Sequence, residues 1–554
     1  MQRLLDVFSF ARIDLTFSKL DFWLFFLVVM IFFSILHKNK VVRSIYLILI
    51  SLFFYYKSSG LSVFILIFTL LSNYKIGLYI ANAERVKVKK IFLTIGVVLN
   101  ILVLSYFKYA YFFTNSFNEL FHTKYEVFNL FAYFQNGFST TGSHSIFERI
   151  LLPAGVSFFT FSSTAYLIDV YRKTVPPVKN LFTYSFFISF FPHLILGPIV
   201  RAKDFIPQID RPYYLDKDGF GWAIFQILKG MFKKLILADY VAVHFIDKII
   251  DSPDAYPGFV GYFAMIGYSV QIYGDFAGYT DMATGIAKLM GFDLKMNFNR
   301  PYKSLNNAEF WRRWHVSLGS WWKDYLYIPL GGNRSGGFAT VFTFTIIFIF
   351  LFFITRWYAL FFVYSALLSL YFIIQLAFPN YKNTIYRDMN LLITMVIGGL
   401  WHNPNQNFVI WGALNGIGLV FYNHWKKISP YENSNHVIVR IWKILSTFFF
   451  FTTTRIWFRV EGENEPNAYF MHIINQFNFS WDAFWLMCTS FTIPLLLTGF
   501  GLFLHWLPDS VEDKTIRVFS KQHFIVQAII SCVFVILIYQ LMADTSKHFV
   551  YFAF

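Results

Sequence analysis

A series of long apolar runs, separated by short polar loops, constrains this chain more than any other feature. Runs at 22–36, 44–56, 61–80, 91–107, 182–200, 259–272, 340–354, 357–378, 391–400 with its continuation 408–422, 437–458, 484–504 and 524–541 carry few charges. A helix needs about 20 apolar residues to cross a bilayer, and backbone in hydrocarbon must satisfy its own hydrogen bonds. Several runs are shorter than that, which predicts tilted, broken or re-entrant helices. None repeats the alternation of an outer-membrane barrel. The expected fold class is all-α and polytopic, with membrane lipid as its surroundings.

Composition agrees. Of 554 residues, 56% are hydrophobic and 14% charged, a balance that would cover a soluble protein with sticky patches. The net charge of +16 sits in loops between the runs, where the positive-inside rule accounts for it better than nucleic acid does. Loops 37–43 and 84–90 are basic and two runs lie between them, so both are assigned to the cytoplasmic face and the N-terminus to the outside. The first run reads as an anchor rather than a cleavable signal. Four regions are expected: N-terminal transmembrane helices (1–110), an extracytoplasmic polar cap with Gly137 and Gly142 (111–150), a core (151–430) and C-terminal transmembrane helices (431–554). Cys488 and Cys532 lie in apolar surroundings without metal-ligand spacing and read as packing residues.

Polarity rises sharply between Tyr279 and Arg334. Such a stretch cannot face lipid, so it lies at the interface or lines a water-filled cavity. Within it, Asn306 or Asn307 can cap a helix starting near Ala308. Trp311, His315, Leu318 and Trp322 then fall on one face at helical spacing, which buries His315 among aromatics. A second histidine ends Gly398-Gly-Leu-Trp-His402, just before the polar break Asn403-Pro-Asn-Gln-Asn407. Pro404 ends the helix there, and Gly398 and Gly399 permit close approach of a helix or a ligand. The bland readings are a hydrogen-bonded core histidine at 315 and an interfacial histidine at 402. The sharper reading is proton chemistry, since a histidine in a membrane is costly and a neutral imidazole can take a proton from an attacking hydroxyl. No HExxH, CxxC or Walker loop occurs, so no metal or tightly bound cofactor is expected.

Several motifs together resemble the membrane-bound O-acyltransferases, in particular the bacterial alginate O-acetylation branch. They are Gly155-Val-Ser-Phe-Phe-Thr-Phe161, Tyr166-Leu-Ile-Asp-Val-Tyr-Arg172, Phe191-Pro-His-Leu-Ile-Leu-Gly-Pro-Ile-Val-Arg201, Gly230-Met-Phe-Lys-Lys234 with Ala238-Asp239, Gln271-Ile-Tyr-Gly-Asp-Phe-Ala-Gly-Tyr-Thr-Asp-Met282 and the two histidine stretches. Arg455 departs from the pattern by charging a usually apolar run. The resemblance implies helices around a central funnel, with His402 as the catalytic histidine and His315 as the second family histidine, nearer the cytoplasm. It implies an acyl thioester donor from the cytoplasm, such as acetyl-CoA. It also implies a bacterial cytoplasmic (inner) membrane location and a separate extracytoplasmic, esterase-like acetyltransferase partner that modifies a polysaccharide. Arg312, Arg313 and Lys323 then attract the donor's phosphates or simply anchor the interface. Trp401 and Trp411 would shape the pocket. Asp275, Tyr279 and Asp281 line the same cavity or brace helices. D-alanyl transfer from a carrier-protein thioester and glycan or lipid transport are the alternatives.

Overall fold

The computed structural model describes residues 6–9, 13, 15–130, 133, 150–355, 358–378, 381–462, 465–543 and 549. Most of the expected extracytoplasmic cap, with Gly137 and Gly142, lies outside these. Among the described residues the secondary structure is entirely helical.

Helices α1 (Leu20–Leu36), α2 (Lys40–Ser59), α3 (Val63–Asn82) and α4 (Val86–Leu104) form the N-terminal part. Asn39 starts α2 by accepting the amides of Val41 and Val42 at 3.0 and 3.2 Å, as an N-cap should. Helix α4 runs through a π-turn, Ser105–Tyr109, into α5 (Ala110–Phe121). Four described stretches are long and apolar enough to cross a membrane: Lys40–Asn82, Val86–Phe121, Val437–Arg459 and Phe524–Leu541. Their outer faces expose large apolar side chains such as Leu49, Phe64 and Ile536, which suits lipid contact and would be untenable in water.

The middle of the chain is more deeply buried. Helix α6 (Val156–Tyr171) and helix α7 (Leu181–Ser189) pack against α2 to α4. The run at 182–200, expected as a span, is instead α7, a single turn Phe191–Leu194 and an extended tail, almost all buried inside the protein. Pro192 and Pro198 deny the chain a continuous helix there. Helix α8 (Lys217–Phe232) lies along α9 (Gly258–Leu289). The run at 259–272 is thus only part of a 32-residue helix. The two backbones approach through Gly230 and Gly278, where an added Cβ would press on the facing carbonyl at 2.5 and 2.8 Å. Small residues permit such approach.

Helix α10 (Asn307–Arg313) and helix α11 (Val316–Trp322) follow, then α12 (Phe338–Thr355), α13 (Tyr358–Ala377), α14 (Lys382–His402) and α15 (Gln406–Ile428). Helix α16 (Val437–Thr454) precedes α17 (Trp481–Ser490) and α18 (Thr492–Trp506), which meet at a 90° bend. The amphipathic α19 (Asp509–Lys521) and the apolar α20 (Phe524–Leu541) are the last helices described along the chain.

Arg455, the charge in an apolar run, is buried at the end of α16. Its guanidinium lies over the rings of Trp314, Tyr302 and Phe310, 4.9, 5.2 and 5.7 Å from their centroids, an arrangement that offsets the burial of a cation.

Candidate active site

The first histidine stretch starts as its sequence predicts. Asn306 accepts the amide of Glu309 at 2.8 Å, and the Glu309 carboxylate accepts the amide of Leu305 at 2.9 Å. This reciprocal pairing closes the first turn. The single amphipathic helix expected through His315 does not form. The chain leaves α10 at Trp314 in extended geometry, His315 takes a left-handed φ of 45°, and α11 restarts at Val316. The cause is tertiary. Asn297 accepts the amide of Val316 on its carbonyl (2.9 Å) and that of Ser317 on its side chain (3.2 Å), while the Asn299 amide donates to the Arg313 carbonyl (2.9 Å). The segment through 297–299 therefore replaces the helical bonds around His315. A non-glycine residue in this conformation costs of order 1–3 kcal/mol and marks a place the surrounding structure over-determines. The His315 ring, 1% exposed, meets Phe276 edge-on at 4.6 Å and faces Trp401 at 6.3 Å.

The second histidine is the last residue of α14. The polar break at 403–407 is a tight turn between two antiparallel helices rather than an interruption of one span. Asn405 caps α15 by accepting the amide of Asn407 at 2.9 Å, and the Asn407 side chain donates to the Gly462 carbonyl at 2.6 Å. Gly399 lies against Gly412, whose Cα would stand 3.0 Å from an added Cβ. The hairpin can therefore close only with glycine at both positions. His402 is 4% exposed and is boxed by Trp401, Trp411 and Phe458, with ring centroids 4.9, 5.2 and 5.5 Å away.

The carbonyls that end α14 are met from the π-turn after α4. Lys108 donates to Trp401 O at 2.6 Å and His402 O at 3.0 Å, and Tyr109 donates to Leu400 O at 3.0 Å. These bonds satisfy acceptors that every helix leaves open at its C-terminus and set a cation where the helix dipole favours one. Sequence reading missed Lys108. Its only local signal is a lone lysine within the 91–107 run and its extension, a position where lysine normally needs a partner.

His315 and His402 line one cavity of about 500 Å³, together with Trp411, Trp322, Gly398 and Tyr327. Arg312 and Lys323 line it with exposed side chains. Trp401 braces the site from behind, with Phe161 at 5.4 Å. Arg313 turns away to Glu309 at 2.7 Å. Asp275, Tyr279 and Asp281 are not among the residues lining this cavity. Asp275 shares buried Lys234 with Asp239, at 2.6 and 2.8 Å. Tyr279 stacks on Phe17 at 4.6 Å. Asp281 pairs with Lys233 at 2.7 Å and lines a second cavity of about 880 Å³, which shares Arg312 and Val316 with the first. The Lys233, Lys234, Asp239, Asp275 and Asp281 set therefore ties α8 and its π-helical continuation to α9.

The comparisons with known proteins extend this picture. The family model described as "MBOAT, membrane-bound O-acyltransferase family" matches residues 86–387, a span that holds His315 and stops short of His402. A probable alginate O-acetylase of Pseudomonas aeruginosa is 37% identical over 63% of this chain and 54% of its own length. A peptidoglycan O-acetyltransferase of Helicobacter pylori is 30% identical over 77% of this chain and 72% of its own. A teichoic acid D-alanyltransferase of Bacillus subtilis is 25% identical over 49% of this chain and 59% of its own. The chain spans little more than half the length of the alginate acetylases it matches. With long apolar helices around two buried histidines and a family match over more than half its residues, this multi-pass membrane protein belongs to the membrane-bound O-acyltransferase family.

Proposed function

We propose that the chain is an O-acyltransferase that moves an acetyl group from a cytoplasmic thioester toward an extracytoplasmic polysaccharide. The observation that carries this reading is the pairing of His315 and His402 on one cavity with an aromatic wall. Such a wall excludes water, which would otherwise consume the acyl donor.

The step balances with the residues at hand. His402 takes the proton of an acceptor hydroxyl as its oxygen attacks the thioester carbonyl. The tetrahedral adduct expels the thiolate, the carbon–sulfur bond breaks, and the imidazolium returns the proton to sulfur. His315 holds the donor or the acceptor against this base. Trp411 shapes the pocket and Trp401 fixes the histidine's helix. Arg312 and Lys323 draw in an anionic donor, with acetyl-CoA the favoured candidate and no tightly bound cofactor required. Arg313, Asp275, Tyr279 and Asp281 support the scaffold through the contacts described above. The extracytoplasmic acceptor is a separate, esterase-like acetyltransferase that passes the group to the polymer. The basic loops favour an N-terminus outside, and similarity to bacterial acetylases favours the bacterial inner membrane.

Similarity to a D-alanyltransferase supports a second reading, in which the donor is an aminoacyl thioester on a carrier protein. One experiment tests both. The purified full chain in lipid nanodiscs is offered acetyl-labelled coenzyme A or a D-alanyl carrier, and thiol release is followed. His402→Ala should lose roughly 10²–10⁴ of the rate, the usual worth of a general base. A folded His402→Ala protein that keeps a tenth of wild-type turnover would refute the base role.

A further inference from the structure

The larger cavity has a charged wall of which the transfer reading uses only Arg312 to meet the donor. Lys229, Lys233, Arg300 and Arg312 line it, and so do Asp281, Asp509, Glu512 and Asp513. Three of those four carboxylates belong to α19. Glu512 meets Lys229 at 2.9 Å and Arg300 at 3.0 Å, and Asp509 meets Arg300 at 3.0 Å. Burial pushes the Glu512 carboxyl up, but Lys229, Lys233 and Arg300 outweigh it and hold it down at about 2. Glu512 is therefore an anion bound in a cationic cavity. Without α19, four cations would face Asp281 alone, a net charge of +3.

The two ends of α19 are held differently. At the C-terminal end an added Cβ at Gly221 would collide with Ser520 at 2.5–2.6 Å, Gln527 donates to the Phe519 and Ser520 carbonyls at 3.1 and 3.0 Å, and Lys217 donates to Lys521 O at 3.0 Å. The N-terminal end, over the cavity, is held by the ion pairs just described and by Lys303 donating to Leu507 O at 2.8 Å. Asp509 is 77% exposed and Glu512 36% exposed in these pairs, and exposed ion pairs hold weakly. The cavity also has an unused acceptor, since His505 Nδ1 donates to the Gly501 carbonyl at 3.2 Å and leaves Nε2 bare in the neutral ring. His505, 3% exposed, lines it, and its Nε2 is buried with no hydrogen-bonding partner among the described residues.

We infer that this cavity is a binding site for a phosphate ester or phosphoanhydride group, and that α19 is its acidic latch. The ligand's phosphates would take the place of the Glu512 carboxylate on Lys229 and Arg300. Guanidinium and ammonium groups are suited to this exchange. Arg312 and Val316 line both cavities, so a molecule anchored here by its phosphates can extend a chain toward the histidines. That last point rests on the transfer reading, whereas the anion site does not.

The test uses the full chain in neutral phosphatidylcholine nanodiscs, with coenzyme A as the soluble probe. Removing the resident carboxylate by Glu512→Gln should tighten coenzyme A binding about tenfold. Arg300→Gln should weaken it by a similar factor, with Arg300→Lys in between, since a lost charge contact is commonly worth a factor of ten. A parallel arm measures retention of phosphatidylglycerol by the same variants. The opposed shifts with coenzyme A identify a soluble phosphate donor, and the same shifts with the lipid alone identify a headgroup. Equal binding by wild type, Glu512→Gln and Arg300→Gln in both arms overturns the site. Acetyl transfer that needs His402 but ignores both variants would sink this inference and leave the transfer reading intact. Coenzyme A binding that shifts as stated without transfer would do the reverse.

Discussion

Gly399→Ala offers a sharp test of how the fold sets up the site. The α14–α15 hairpin closes through Gly399 and Gly412, and His402 lies three residues beyond that contact. An alanine Cβ at 399 would overlap the Phe408 carbonyl oxygen and stand 3.0 and 3.1 Å from Gly412 Cα and N. All three obstacles are backbone, so no side chain can swing aside. Restoring an ordinary carbon–oxygen contact of about 3.3–3.6 Å requires the helices to part by more than about 1 Å. Overpacking of this kind costs about 1–3 kcal/mol of stability, and a displacement near 1 Å at a reacting group costs about 10²-fold in rate. Gly499→Ala is the control. Nothing lies within 4 Å of its added Cβ, so it demands no backbone movement. Acyl turnover in nanodiscs, read beside thermal unfolding of each variant, separates the two effects. Gly399→Ala should lose about 10²-fold in turnover while Gly499→Ala stays within a few-fold. Equal turnover in the two variants would refute the claim that glycine–glycine closure positions His402.

Lys108→Met removes a charged donor from the Trp401 and His402 carbonyls, bonds worth roughly 1.5–3 kcal/mol each. Turnover should fall about tenfold at nearly unchanged KM as the histidine's helix end loosens, with partial rescue by Lys108→Arg; wild-type kcat in Lys108→Met would remove the positioning role. Lys234→Met leaves Asp239 and Asp275 without the cation they share, so thermal unfolding should register a loss of about 3–5 kcal/mol. An unchanged melting temperature would show that this pairing contributes nothing to the fold.

Legibility varied with how local each cause is. The cap at Asn306, one of the two asparagines expected to start that helix, is written in neighbouring residues and forms. The break at His315 could not be read from its own helix pattern, because Asn297 and Asn299 impose it from a separate segment. The run at 182–200 looked like a span because its residues are apolar; it is buried against protein instead of lipid, and apolarity alone does not distinguish the two environments. Asp275 and Asp281 read equally as cavity lining or as helix braces, because their partners Lys234 and Lys233 come from another helix. Arg312 and Lys323 do reach the histidine cavity, while Arg313, one residue on, is spent on Glu309 within its own helix turn.

The sequence by itself determined that this is a helical membrane protein and which two histidines merit attention. Hydropathy, caps and prolines act over a single turn or a single span, so they are readable wherever they occur. Tertiary structure alone decided that His315 and His402 share a cavity, that Lys108 holds the end of a helix 294 residues away, and that α19 supplies the acidic wall of the larger chamber. Those outcomes depend on which helices become neighbours, and that choice is made by packing summed over the whole chain rather than by any stretch of it.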